Sequence, residues 1–190
     1  NHSEFKNEFF FPFFDGTVSV SLIGRQDYNI VFFKTSFLIY SFLSLFFYYS
    51  LSNFLKRIRY KNNLLVIGLL MNIALVCYLY FLGNNVFYFS DLLRRLSIII
   101  YLLTVLIAHS STFLFLKSNI NKIQKSTVMN INFNICLLIL IIMFIFIIVG
   151  SPWVNPLFDY PYNLKNIIEW NYFFVSLLFY VPFSIIMFNY

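Results

Sequence analysis

Residues 94–117 read RRLSIIIYLLTVLIAHSSTFLFLK: two arginines, an apolar run carrying hydroxyls and one histidine, then a lysine. From Arg95 to Lys117 an α-helix rises about 33 Å at about 1.5 Å per residue, roughly one hydrocarbon core. The charges at its two ends reach the headgroups while the apolar body lies in lipid. The stretch is read as a transmembrane helix, and the rest of the chain repeats its pattern.

The 190 residues are 61% hydrophobic, 23% aromatic and 11% charged, with a mean hydropathy of +0.80. Soluble domains carry about a quarter charged residues, so a water-soluble domain is excluded. The length leaves room for about five helices of roughly 20 residues each. A transmembrane barrel needs alternation of apolar and polar residues, which solid apolar runs do not give. The expected fold is all-α, a polytopic transmembrane helical bundle. An interfacial amino-terminal segment over 1–28 precedes a helical domain over 29–190, with spans at about 29–55, 64–82, 95–117, 132–150 and 169–190.

The segments between these runs carry the polar residues. In 1–28, His2, Glu4, Lys6, Glu8, Asp15, Arg25 and Asp27 surround the aromatic knot FFFPFF, a mixture suited to the headgroup boundary. The alternation from Thr17 to Leu22 suits a short extended stretch. Loops are expected at KRIRYK (56–61), at Gly83 to Asn85, over 117–125, and over 151–165 with Pro152, Pro156 and Pro161. The last span should kink near Pro182. The net charge of +6 resides in these short loops, where it orients the chain in the bilayer and does not imply nucleic acid. Basic residues favour loops one and three modestly, which puts the amino terminus on the outer or intermembrane side. The chain opens on Asn1 without a signal-peptide pattern, and processing or trimming ahead of it is expected.

Several helical faces are built for contact with other helices. Ser41, Ser44 and Tyr48 share a face of the first span, and Gly68 and Asn72 lie one turn apart in the second. In the third, Ser97, Tyr101, Thr104, Ala108 and Ser111 recur at spacings of four and three, the fullest stripe of small and hydroxyl-bearing residues in the chain. Lipid is as apolar as Leu, so membrane helices associate where small residues permit close approach and polar side chains can hydrogen-bond. Asn72 is read as such a structural group, with a functional role as the alternative. The fourth span is apolar all round and carries no chemistry.

Ionisable groups at depth are few: His109 and, near span ends, Lys34, Arg94 and Arg95. Asp91, Asp159 and Glu169 belong to ends or loops, so a self-contained proton pump is not indicated. Paired-histidine haem ligation fails because His2 lies in the amino-terminal tail. Two readings of His109 stand: a proton-shuttle or quinone contact, or a neutral imidazole bonded to Ser110, Thr112 or another helix. Lys34 is read as snorkelling to the headgroups, with a proton relay as the alternative. Arg94 and Arg95 either mark a helix boundary or hold an anionic lipid such as cardiolipin. Cys77 and Cys136 sit in apolar runs and are read as packed thiols. Nucleophile triads, phosphate loops and metal-ligand clusters are absent, so no catalytic, cofactor or metal site is expected within this chain.

The abundance of Phe, Tyr, Ile, Asn and Leu, with Ala only at positions 74 and 108, matches A- and T-rich codons. An organelle genome fits, as does an AT-rich bacterium or a nuclear gene of the same bias. In composition and span count the chain resembles the small mitochondrially encoded membrane subunits of divergent protist respiratory complexes. Its size and five spans are similar to those of the five-span subunit in the membrane arm of NADH:ubiquinone oxidoreductase. Arg95, heading a long helix, resembles the arginine-bearing helix of ATP synthase subunit a, and EWNYFFVSLLFYVPF (169–183) loosely resembles an aromatic span of cytochrome oxidase. The resemblance implies a structural or assembly role in the inner membrane, among lipids and other subunits of a large redox-driven complex. A small multi-pass transporter or channel is the competing class.

Overall fold

The computed structural model describes residues 13–14, 30–57, 63–83, 88–119, 127–150 and 162–188. Among them the helices are α1 (Ile30–Arg57), α2 (Leu64–Phe81), α3 (Ser90–Asn119), α4 (Thr127–Val149), α5 (Tyr162–Leu178) and α6 (Tyr180–Phe188), with no strand. Many of these residues are β-branched or aromatic and are mediocre helix formers in water. In lipid the backbone has no solvent partner, so an apolar run satisfies its N–H and C=O groups by closing its own helical bonds. Five helices are long and apolar enough to cross a membrane, α5 and α6 together making the fifth over Asn166–Phe188. The chain is a multi-pass membrane bundle.

Three helices begin earlier than the hydropathy of the chain suggests. α3 starts at Ser90 rather than Arg95, α4 at Thr127 rather than Asn132, and α5 at Tyr162 rather than Glu169. The added turns are polar, and an apolar run read from sequence ends where they begin. The backbone continues as helix through these turns, whose terminal groups water can satisfy. Asp91 lies in the first turn of α3 and ion-pairs with Arg94 at 3.2 Å, a favourable place for a carboxylate at the positive end of a helix dipole. The expected connection over 151–165 is correspondingly shorter, since Tyr162 to Lys165 are helical, and Lys117 to Asn119 belong to α3 rather than to a loop. The remaining loop residues and all of 1–28 except Phe13 and Phe14 lie outside the described residues.

Two backbone features shape the bundle. Gly83, just past α2, adopts φ +78°, and a Cβ there would lie 2.8 Å from Ile30 Cδ1. Only glycine takes this conformation without strain and lets the start of α1 come so close. The fifth span breaks at Phe179, between α5 and α6, three residues ahead of Pro182. Proline has no N–H for the carbonyl of Leu178, so the expected kink falls just upstream of the ring.

α2 packs against both α1 and α3, and α4 meets α3, α5 and α6. Gly68 lets α1 and α2 approach closely: a Cβ there would lie 2.9 Å from Tyr48 Cβ. Asn72, one turn on, places its side-chain oxygen to accept from Ser41 (2.5 Å) and Ser44 (3.2 Å), while its amide donates to the Gly68 carbonyl at 2.7 Å. The contact therefore combines a missing side chain with a satisfied amide. α4 is apolar all round in sequence, yet it buries one face: Met129, Asn132, Cys136, Ile139, Leu140 and Met143. Asn132 stays satisfied by donating to the Val128 carbonyl of its own helix at 2.8 Å. Large apolar side chains such as Phe32, Phe42, Phe46, Ile141 and Phe144 face outward, as a lipid-solvated surface requires. Phe13 rests against Trp170 and Phe174, and its carbonyl accepts from Asn171 at 2.9 Å; this ties part of the aromatic knot to α5.

Candidate functional site

The buried ridge of α3 runs through Tyr101, Val105, Ala108, Thr112, Phe115 and Leu116. Tyr101 and Ala108 are the fully covered members of the stripe read from sequence. Ser97, Thr104 and Ser111 are only half-buried on its flank. Thr104 turns its hydroxyl back onto the carbonyls of Ile100 and Tyr101 (2.8 and 2.9 Å), and Thr112 does the same to Ala108 at 2.7 Å. Such back-bonding satisfies a hydroxyl inside its own helix and leaves it no bond to give a neighbour.

His109, on the same side, is 1% exposed and faces the other spans rather than lipid. Its Nδ1 lies 3.1 Å from the Tyr48 hydroxyl of α1, and its Nε2 lies 3.1 Å from the Ser176 carbonyl of α5. A carbonyl only accepts, so Nε2 carries the hydrogen, and the neutral ring accepts at Nδ1 from the Tyr48 O–H. The imidazole also stacks on Phe179 at 4.2 Å and 13°, and meets the Tyr180 ring edge-on at 5.1 Å and 88°. One side chain thus clamps α1 and α3 to the broken fifth span at its break. Neither Ser110 nor Thr112 is its partner.

Around this clamp lies a group of phenols from three spans. Tyr172 donates to the Leu102 carbonyl at 2.6 Å. Tyr101 stacks on Phe173 with centroids 5.8 Å apart, and Phe37 meets the same ring edge-on at 5.7 Å. Phe47 packs edge-on against both Tyr180 and Phe183. The hydroxyl oxygens of Tyr40 and Tyr180 are fully buried. The structure therefore brings His109 together with Tyr48, which the first span's stripe exposes in sequence. It adds Tyr40, Tyr172, Ser176, Phe179 and Tyr180, which no local pattern singles out.

The other sequence-derived positions lie elsewhere. Ser41, Ser44, Gly68 and Asn72 form the α1–α2 contact. Arg94 ion-pairs with Asp91, and Arg95 is exposed beside it. Lys34 is half-buried one turn into α1. Cys136 is buried and Cys77 half-buried, both as free thiols. Among the described residues no three His, Cys, Asp or Glu side chains gather to hold a metal ion. The chemistry available at the cluster is hydrogen bonding between neutral groups and ring stacking. Comparisons with protein-family models, with curated proteins and with solved structures find no match.

Proposed function

We propose that this chain is a structural subunit of a mitochondrial respiratory-chain complex, embedded in the inner membrane, with the membrane arm of NADH:ubiquinone oxidoreductase as its assembly. The observation that carries the structural role is the disposition of His109. It is the one histidine in the spans, and both ring nitrogens are engaged by groups of the same chain. A proton shuttle or quinone contact would need one of them turned to a path or a ligand. The placement in a respiratory complex is supported by the organelle-like composition and by five spans with little mass outside them.

In this reading the chain acts by packing. It presents outward-facing Phe, Ile and Leu surfaces to lipid and to neighbouring subunits, and it makes no turnover of its own. Blue-native separation of mildly solubilised native membranes, with peptide identification of the band, tests it. Co-migration with subunits of NADH:ubiquinone oxidoreductase is the expected result. Co-migration with cytochrome oxidase or ATP synthase subunits would move the chain to that complex, and migration apart from every large assembly would refute the subunit role.

A further inference from the structure

We propose that the end of the bundle where α1 and α3 finish binds anionic phospholipid headgroups through Lys56, Arg57 and Lys117. The inference is independent of which complex the chain belongs to. Side-chain contacts set the direction of each span. Phe37 and Phe47 of α1 meet Phe173 and Phe183 in that order, and Leu102 and His109 of α3 meet Tyr172 and Ser176, so α1, α3 and the fifth span run parallel. α2 runs the other way, with Asn72 against Ser41 and Gly68 against Tyr48. So does α4, whose Phe133, near its start, stacks on Phe113, near the end of α3. Lys56 and Arg57 close α1, and Lys117 lies in the last turn of α3. Lys56 comes eight residues after Tyr48, and Lys117 eight after His109, the partner of Tyr48. The charges therefore stand at one level, about 12 Å beyond that bond, and all three are exposed.

No carboxylate accompanies them in the sequence. Of the seven acids, four precede α1, Asp91 opens α3, Asp159 falls between α4 and α5, and Glu169 lies early in α5. Every one belongs in sequence to segments joined to the opposite end of the spans. There Arg94 is paired with Asp91. The stretches that join α1 to α2 and α3 to α4 add Arg59, Lys61, Lys122 and Lys125, and no Asp or Glu. Helix dipoles do not neutralise this end. α1 and α3 finish here with about −0.5 charge each, while α2 and α4 begin here with about +0.5 each, and the four cancel. The counter-charge must come from outside the chain. Each cation follows directly on an apolar run, so its aliphatic stem lies along acyl chains while its head reaches the phosphates. A zwitterionic lipid brings an ammonium that offsets its phosphate; an anionic lipid does not. Each Lys or Arg at an anionic surface strengthens the attraction about fivefold, and the Arg57 fork can hold a phosphate through two bonds. Basic residues at one end also orient a chain during insertion, a role that needs no lipid preference in the folded protein.

The test uses the full chain in phosphatidylcholine bilayers carrying a trace of spin-labelled phosphatidylglycerol or phosphatidylcholine. Electron paramagnetic resonance then gives the association constant of each lipid with the protein. The unmodified chain should hold phosphatidylglycerol several-fold more tightly, and the preference should fade toward 1 M salt, where screening acts within about 3 Å. Replacing Lys56, Arg57 and Lys117 together by Gln should bring the two lipids close to equal. Arg95→Gln, at the opposite end, should leave the preference largely in place. If the triple variant does not fold, the salt series on the unmodified chain carries the test. Equal association of the two lipids with the unmodified chain would overturn the proposal and leave the charges to orientation or to an acidic partner protein. A preference that survives the triple substitution would overturn the assignment to these residues. Loss of the preference on adding inorganic phosphate at constant ionic strength would show a free-anion site and would likewise overturn it.

Discussion

At the scale of single residues, His109 decides how the cluster is read. Replacing it with Phe keeps a ring to stack on Phe179 but strips the Tyr48 hydroxyl and the Ser176 carbonyl of their partner. Unfolding of the purified chain in bicelles should then show a loss of about 1–3 kcal/mol. Tyr48→Phe removes one bond and no packing, and should cost less, about 0.6 kcal/mol, the mean for interhelical hydrogen bonds in membranes. Equal stability of His109→Phe and the unmodified chain would mean that the two bonds do not hold the clamp. The partners of His109 could not be read from sequence for a plain reason. Ser176 is 67 positions away and bonds through its backbone carbonyl, an acceptor that every residue carries, so no side-chain pattern marks it.

At the scale of elements, the contact between α1 and α2 rests on the missing side chain at Gly68. Gly68→Ala puts a methyl 2.9 Å from Tyr48 Cβ, a backbone-anchored atom that cannot swing aside. Overpacking of this kind costs about 1–3 kcal/mol, and circular-dichroism melts should register it as a lower midpoint at unchanged helix content. Asn72→Leu withdraws the acceptor for Ser41 and Ser44. It should destabilise by about 1 kcal/mol at two bonds of roughly 0.6 each. The helices themselves are legible because each is a run of apolar residues long enough to cross lipid. Their ends are less so: the first turns of α3, α4 and α5 carry polar residues such as Asp91, Asn130 and Asn166, which mark the headgroup layer and not the end of a helix. The contact residues Ser41, Ser44, Gly68 and Asn72 are legible as a small and polar face. The ridge of α3 is rotated from its stripe toward Val105 and Thr112, a shift set by which neighbouring helices it meets and so not written in α3 alone.

At the scale of the whole molecule, the bundle has an interior where hydroxyl-bearing side chains lie among apolar ones and an exterior of large apolar side chains. Only 17% of the apolar window of α1 and 22% of that of α4 is buried within the chain, so these two spans offer the widest surfaces to lipid. If the chain acts by packing, a core substitution that disturbs its shape matters more for assembly than one that alters its single intramembrane histidine conservatively. Ala108 is fully buried on the ridge of α3, and Leu in its place adds three carbons to a filled interior, whereas Gln at position 109 retains a donor and an acceptor. The most direct measurement is therefore the fraction of chain found in the large assembly on blue-native gels of membranes expressing Ala108→Leu or His109→Gln. A structural subunit predicts that Ala108→Leu depletes the assembled band more than His109→Gln does, with respiratory activity falling only in step with the band. A His109→Gln variant that assembles fully yet abolishes activity would contradict it.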